Sequence, residues 1–358
     1  MAVDHTVADG RSQEVAQSAL ELLALLARAL LILSRLQPPQ AFRLPYPPEA
    51  QSALDQIVLR CILREEDPPE SLPALISWCR QRTVGELPVR VPDHVVTPEA
   101  RLLSPRAARP TRTCNELASY GPQGLVEQQA VGLLNRLAIR CPTPALFREC
   151  RSFLLSHPVL LRPRDYKTPV WEHVHDVYAP AGSGQMLCTA CGLPATRALC
   201  EREECSQEVP PPETRPTPEG ALLLDPALRA FLCLAAPTEH AVLAELARRG
   251  VRVELHDPGL GLFRLPTAGG TRTRLLGVYD RRHPGLLAAR VSELLSVTEA
   301  TLTVAVPDRH ICRPGFREAF EACLDTTAGP RVRLTSPAVF AGLPAALHAA
   351  AYVKEDNA

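Results

Sequence analysis

The chain has 358 residues, long enough for two or three domains and a sizeable core. Its 39 basic and 39 acidic side chains balance, which excludes a globally basic nucleic-acid binder and leaves only a local basic surface to consider. Lys167 and Lys354 are the only lysines, so a catalytic lysine has two positions to come from. Abundant arginine beside scarce lysine is also what a GC-rich genome yields. Of the twelve cysteines, eight stand singly, mostly in apolar segments such as IVLRCILR and FLCLAAP. That is the pattern of reduced core thiols in a cytoplasmic protein. The opening MAVDHTVADGRSQEV is polar and acidic, so no signal peptide is expected.

Residues Ser12–Leu36 carry the strongest helix signal. Glu14, Glu21, Arg28 and Arg35 recur every seven residues and share one thin polar face. A membrane span would bury Glu21 and Arg28 in hydrocarbon, so a core or partner-facing helix is expected, covered by this chain or another, with no membrane involved. A Pro-rich turn over Gln37–Pro48 ends it. Further helices are predicted over Ala50–Leu63, Ser71–Arg82, Gly124–Arg140 and Pro144–His157, the last with Thr143 as N-cap and Pro144 at its first position. The Pro- and Arg-rich stretch Val84–Thr113 reads as short extended pieces and loop. This first half holds no recognisable catalytic motif.

In RPRDYKTPVWEHVHDVYAP, His173 and His175 form an HxH pair that would suit a metal only on a strand. A surface or packing role is the simpler reading. The basic and aromatic residues beside the pair suit a partly buried domain connection better than a nucleic-acid surface.

The most specific local motif is C-x2-C-x8-C-x4-C: Cys188, Cys191, Cys200 and Cys205. Zinc takes four thiolate or imidazole ligands in a tetrahedron, and a CxxC supplies two of them from one tight turn. Gly192 lets the backbone turn back through positive φ. A span this short has little core of its own, so a metal cross-link is physically useful. A redox CxxC would open a helix, which Gly192-Leu193-Pro194 disfavours. Disulfides do not suit a cytoplasmic protein, and an iron–sulfur cluster is the remaining alternative. A structural zinc ribbon is therefore predicted, with no open coordination position and no catalytic role. The Pro-rich segment Glu208–Glu219 follows as a semi-rigid linker.

Leu224–Gly250 reads as a helix stopped by Gly250. Three alternating runs follow (VRVELHDP, LGLFRLPT and TRTRLLGVYD), then a helical PGLLAARVSELL and a strand-like EATLTVAVPD. Helix, three strands, helix, strand is the core order of restriction-endonuclease-like nucleases. The residues PGLGLFRL and GVYDRRHPGLLAARV resemble the endonuclease-like component of the prokaryotic PIWI-associated three-gene islands, through Pro258, Gly259, Asp280, Pro284, Leu287 and Ala288. The resemblance implies an acid on the second strand and a DxKD run on the third, holding Mg²⁺ with a lysine beside it. Here Arg264 stands in place of the first acid, Gly277 of the second and Tyr279 of the lysine. Such a site is degenerate. A competing register uses Asp257 and Asp280 with Arg282 as an active Mg²⁺-dependent centre, Mg²⁺ being needed only in that case.

Six arginines lie between Arg264 and Arg290 against one acid. Arg264, Arg272, Arg274, Arg281 and Arg282 are the candidates for a phosphate-following face, the alternative being a solvated surface. A helix over Gly315–Leu324, a strand over Arg331–Thr335 and a last helix near Leu343–Tyr352 complete the chain.

The expected architecture is α+β and multidomain. It comprises a helical N-terminal module (1–160), a four-cysteine zinc ribbon with its flanking segment (161–207), a linker (208–220) and a restriction-endonuclease-like α/β domain (221–358). Three functions suit it. The first is a DNA-binding accessory subunit of a PIWI-type defence system with an inactivated nuclease-like domain. The resemblance implies as its partners a PIWI/Argonaute-like protein, a DinG-type helicase of the DNA-repair kind, and DNA or an RNA–DNA hybrid. The second is an active DNase using Asp257 and Asp280. The third is a scaffold for proteins alone.

Overall fold

A computed structural model describes residues 5–36, 43–106, 109–121, 124–163, 166, 168–196, 200–203, 205, 213–257, 259–266 and 273–342, with backbone only for 5–17, 125 and 341–342. The chain divides into two compact units, each assembled from discontinuous segments. The first comprises residues 1–128, 184–216 and 282–286; the second comprises 129–183, 217–281 and 287–358.

The first unit is built on α1 (His5–Arg35), against which α2 (Pro48–Ile62) and α4 (Arg112–Ala118) pack, with α3 (Leu72–Gln81) beside α2. Leu23, Leu26 and Ala27 of α1 are fully buried, while Glu21 and Arg35 stay exposed and Arg28 is half-buried. From Ala19 to Leu33 the apolar sides of α1 are thus covered by this chain, each buried leucine contributing roughly 1.5–3 kcal/mol. Glu14 lies among the residues whose side chains are not described. Ser71 caps α3 by accepting the Ala74 N–H, and Thr111 caps α4 by accepting the Cys114 N–H at 3.2 Å. The stretch expected as loop up to Thr113 therefore ends in a helix, because Thr111 can cap it. The unit also holds a small antiparallel sheet, order β4-β3-β5, from β3 (Met186–Cys188), β4 (Pro194–Ala195) and β5 (Thr214–Pro216). The latter half of the expected linker is thus a paired strand.

The second unit contains most of α5 (Leu125–Arg140), then α6 (Pro144–Ser156), whose N-cap Thr143 accepts the Leu146 N–H at 3.2 Å. A three-stranded antiparallel sheet joins β1 (Val159–Leu160), β6 (Leu222–Leu224) and β2 (Tyr178–Pro180) in the order β1-β6-β2. Leu224, expected to start a helix, ends a strand. The helical stretch Pro226–Arg248 begins after Asp225, whose carboxylate accepts the Ala227 N–H. It passes through a π turn at Arg229–Cys233 and ends as α8 (Ala236–Arg248), followed by Gly250 at φ 72°. This stretch is long and apolar enough to cross a membrane by length and composition. Here Val242 and Leu246 lie in the core, and the buried carboxylate of Glu239 binds Arg151 through both oxygens, at 2.5 and 2.8 Å.

The main sheet has five strands in the order β11-β10-β9-β8-β7. They are β7 (Glu254–Asp257), β8 (Leu262–Leu265), β9 (Arg274–Val278), β10 (Thr301–Ala305) and β11 (Val332–Thr335). The first three form an antiparallel meander; β9, β10 and β11 are parallel. The crossover from β9 to β10 is α9 (Pro284–Ser296), and that from β10 to β11 contains the short α10 (Asp308–Ile311) and α11 (Phe316–Cys323). One face packs Leu275, Tyr279, Leu302 and Val304 against Val291 of α9 and Phe320 of α11. The other packs Phe263, Leu265 and Leu276 against α8 and against Phe340 of α12 (Pro337–Gly342). The chain is mixed α/β, with N-terminal helices and a C-terminal sheet whose helix–three strands–helix–strand order is the expected one. The helix expected near 343–352 lies outside the described residues.

Candidate metal centre and polar clusters

Cys188 ends β3 and its carbonyl accepts the Gly192 N–H at 2.9 Å, closing the CxxC turn. Gly192 has φ 72°, a conformation costly for any residue with a Cβ. β4 leads back, Ala195 bridges to Cys200, and the Cys205 N–H bonds to the Arg202 carbonyl at 3.0 Å. The sheet pairing of β3 with β4 and β5 fixes the base of this knuckle. The four sulfurs all lie within 4.8 Å of one another, the Cys191–Cys200 pair at 3.3 Å. A tetrahedron with Zn–S bonds of about 2.3 Å has edges of about 3.8 Å, so the arrangement fits such an ion. Cys188, Cys200 and Cys205 are buried and Cys191 is half-buried.

Proton affinities in the cluster are strongly split. The Cys200 thiol, as hydrogen-bond donor, holds Cys191 down to about 5, and the same contact pushes Cys200 up. Burial, with the Cys191 charge added, raises Cys205 to about 12. Cys191 thus gives up its proton readily, while Cys200 and Cys205 do so only with a cation among them, which is the chemistry of a thiolate metal site. Four cysteines this close can bind a metal such as zinc, and all twelve cysteines are free thiols. Among the described residues this is the one group of three or more Cys, His, Asp or Glu side chains placed to hold a metal ion.

The expected nuclease residues do not converge. Asp257 sits on the edge strand β7, paired with Leu262 of β8, and its carboxylate accepts the Leu260 N–H at 2.8 Å. β9 lies on the far side of β8, about 10 Å from β7, and Asp280 follows the end of β9. Neither carboxylate belongs to a group of three or more metal-ligating side chains among the described residues. The Asp280 side chain is 2% exposed, with one oxygen 2.8 Å from His310 Nε2 and the other accepting from Arg309 at 2.5 Å. His310 is fully buried and stacks on Phe316. Gly277 and Tyr279 share a face of β9, and the tyrosine ring lies over the glycine. A Cβ on Gly277 would stand 2.6 Å from Tyr279 Cε2. The volume expected for the second acid and the lysine is filled by that ring.

The arginine candidates scatter. Arg264 pairs with Leu275, so it lies on the face carrying α9, and its guanidinium meets His256 Nδ1 at 2.9 Å. Arg274 pairs with Leu265 on the opposite face and donates to the Pro266 carbonyl. Arg281 follows the other end of β9, roughly 13 Å or more from Arg274 at 3.3 Å per residue. Arg282 binds Glu203 at 3.1 Å, and Arg290 binds Glu293 at 2.9 Å. Arg272 and Pro258 lie outside the described residues. His173 lies in the last turn of the short helix α7 (Pro169–Val174) and His175 opens the 3-10 turn after it, both exposed, so the HxH pair is not on a strand.

Sequence reasoning missed a second polar cluster, within the first unit. Glu116 of α4 forms a buried pair with Arg112 at 3.2 Å, and its two oxygens accept the Arg282 and His283 N–H groups at 2.7 and 3.0 Å. Thr113 Oγ1 lies 2.9 Å from His283 Nε2. Glu203, between the third and fourth cysteines, accepts the Arg112 N–H at 2.6 Å. The cap at Thr111 was the available signal for the helix; nothing local signals its partners.

No curated protein and no solved structure matches this chain. Residues 22–161, the helical stretch ahead of the cysteine cluster, match the family model described as pPIWI_RE three-gene island domain Y. That match lies apart from PGLGLFRL and GVYDRRHPGLLAARV, on which the sequence resemblance rests, and it carries the island without carrying an endonuclease-like fold. On it, this chain is associated with the pPIWI_RE three-gene islands, as a component consistent with a defence system.

Proposed function

We propose that this chain is a cytoplasmic, non-cleaving accessory subunit of a prokaryotic PIWI-type defence system, with a degenerate restriction-endonuclease-like domain and one structural zinc. Its main support is the match of residues 22–161 to the island domain. The partners are a PIWI/Argonaute-like protein and a DinG-type helicase from the same cluster, and the ligand of the complex is DNA or an RNA–DNA hybrid. Absence of cleavage is supported by the Tyr279 ring over Gly277, by Arg264 in place of an acid, and by the engagement of both Asp280 oxygens. Zinc is supported by the four converging sulfurs. As sole protein ligands they leave no open coordination position, so the metal folds the knuckle and breaks no bond.

The test is co-expression with the neighbouring PIWI-domain and helicase proteins, followed by co-purification and assays with Mg²⁺. The expected result is a complex that binds DNA in a salt-dependent way, with no cutting attributable to this chain. Cleavage lost on Asp280→Ala or in EDTA, with binding kept, would overturn it in favour of the Asp257/Asp280 nuclease. A second reading, a scaffold that holds proteins alone, is favoured by the dispersal of Arg264 and Arg274 over opposite faces of the sheet. A complex whose nucleic-acid affinity is unchanged by omitting this chain would select it.

A further inference from the structure

We propose that Glu203 couples metal loading of the cysteine knuckle to the contacts that hold α4 and the 282–283 segment in the first unit. This coupling rests on the zinc site proposed above.

The loop Cys200–Cys205 contributes two sulfurs to the knuckle and carries Glu203 between them. The Glu203 side chain is 13% exposed and both its oxygens are used. Oε1 accepts the backbone N–H of Arg112 at 2.6 Å, 91 residues away in sequence, and Oε2 binds the guanidinium of Arg282 at 3.1 Å. The two segments it joins are themselves bonded, since Glu116 of α4 accepts the N–H groups of Arg282 and His283. The side chain of Arg112 closes the ring by pairing with Glu116 at 3.2 Å. Glu203 therefore touches both partners of a contact that Glu116 makes together with the Thr113–His283 pair.

What places Glu203 is the loop, and in a span this short the loop is held by its ligands together with backbone contacts that include the Ala195–Cys200 bridge, Glu201 N–H to Pro194 O and Cys205 N–H to Arg202 O. A metal that fixes Cys200 and Cys205 fixes the segment between them within two residues of the carboxylate. Without the metal, that segment gains conformations in which the carboxylate is displaced by ångströms, and hydrogen bonds of this kind do not survive such displacement. Linkage then runs both ways: contacts that favour the loaded loop must strengthen metal binding by the factor by which metal strengthens them. Glu203 is a positioning residue and does not itself touch the ion.

The experiment uses the full chain and zinc alone. Amide exchange is read at 112–118 and 282–286 in zinc-loaded and chelator-treated wild type, and zinc affinity is measured by competition with a chromophoric chelator. Chelation is expected to speed exchange at both segments as well as in the knuckle. Glu203→Ala is expected to keep one zinc per chain, to speed exchange at the Arg112 amide while loaded, and to weaken zinc binding by about 5-fold or more. Glu203→Gln, which keeps an acceptor for the Arg112 N–H but loses the charge facing Arg282, should fall between. Zinc removal with unchanged exchange at both segments overturns the coupling and leaves the zinc site standing, as does a Glu203→Ala chain with wild-type affinity and exchange. Wild-type protein that binds no zinc overturns the site and the coupling together.

Discussion

At the cysteine knuckle four sulfurs from two turns point at one another, all within 4.8 Å; at the end of β9 the carboxylate of Asp280 faces His310 and Arg309, while Asp257 stands two strands away. Both regions collect groups that can ligate metals. In the knuckle the groups are alike, so their thiolate forms repel unless a cation neutralises them. At β9 each oxygen of the acid already has a basic partner, so a cation there would compete with Arg309. Convergence of like donors marks a metal site; a carboxylate satisfied by opposite charge marks a structural one, whatever family its motif resembles.

The widest separation between the two should come from removing one ligand. Cys200→Ser is expected to abolish stoichiometric zinc, with the knuckle amides of 186–195 losing exchange protection, because structural zinc sites contribute on the order of 10 kcal/mol to local folding. Elemental analysis reads the metal and amide exchange reads the fold. Iron in place of zinc, or a knuckle equally protected without metal, would break the comparison on this side.

Asp280→Ala tests the other side. If the carboxylate is a structural partner of His310 and Arg309, its loss leaves a fully buried imidazole and a guanidinium without their acid and should cost about 3–5 kcal/mol in urea unfolding. An acid poised for metal would behave oppositely, since deleting an uncompensated charge relieves repulsion. A stability gain in Asp280→Ala would therefore restore the Asp257/Asp280 nuclease to contention.

Gly277→Ala comes next. The added Cβ must displace the buried Tyr279 ring, an overpacking expected to cost about 1–3 kcal/mol. In the double variant with Tyr279→Ala most of that cost should vanish, and the interaction energy of the cycle measures how completely the ring fills the site. Additive costs would mean that the ring and the glycine are independent.

The knuckle was legible in sequence because its determinants are local: two pairs of cysteines and Gly192 within one short span encode both the turn and the ligand set. The meander, α9 and β10 were legible for the same reason, through alternation and helical spacing in contiguous runs. The Arg112–Glu116–Arg282 cluster was not. Glu116 meets the Arg282 amide across 166 residues, and no periodicity carries such a pairing. The helix bearing it is seven residues long, with only Thr111 to announce it. Sequence likewise showed that Gly277 and Tyr279 lack the chemistry of an acid and a lysine. It did not show that one fills the space of the other, because that depends on a side-chain rotamer in a packed core. The arginine run did not become one spatial cluster because the register between β8 and β9 sets Arg264 across from Leu275, and alternation along β9 then turns Arg274 to the other face, a pairing that no run of charge in the sequence encodes.

The smallest effect concerns an ion pair that is exposed where Asp280 is buried. Arg140, at the end of α5, grips both oxygens of Asp176 at 2.5 and 3.0 Å and also bonds the His173 carbonyl at 3.0 Å. The two side chains are 42% and 44% exposed. The bidentate contact with Arg140 holds Asp176 below the usual carboxylate range, with His175 adding to it. A carboxylate whose folded pKa is depressed stabilises the fold at and above its unfolded pKa, and that contribution is lost as pH falls through the folded value. Arg140→Ala should therefore cost at neutral pH, and the difference from wild type should shrink once the pH drops below the ordinary carboxylate value of about 3.9. Solvent screening limits the cost to about 1 kcal/mol or less, and 1 M salt should reduce it further. Urea titrations of both proteins at neutral and acid pH check the sign. A cost as large as that of Asp280→Ala, or one that grows in acid, would mean that burial is not what separates the two ion pairs.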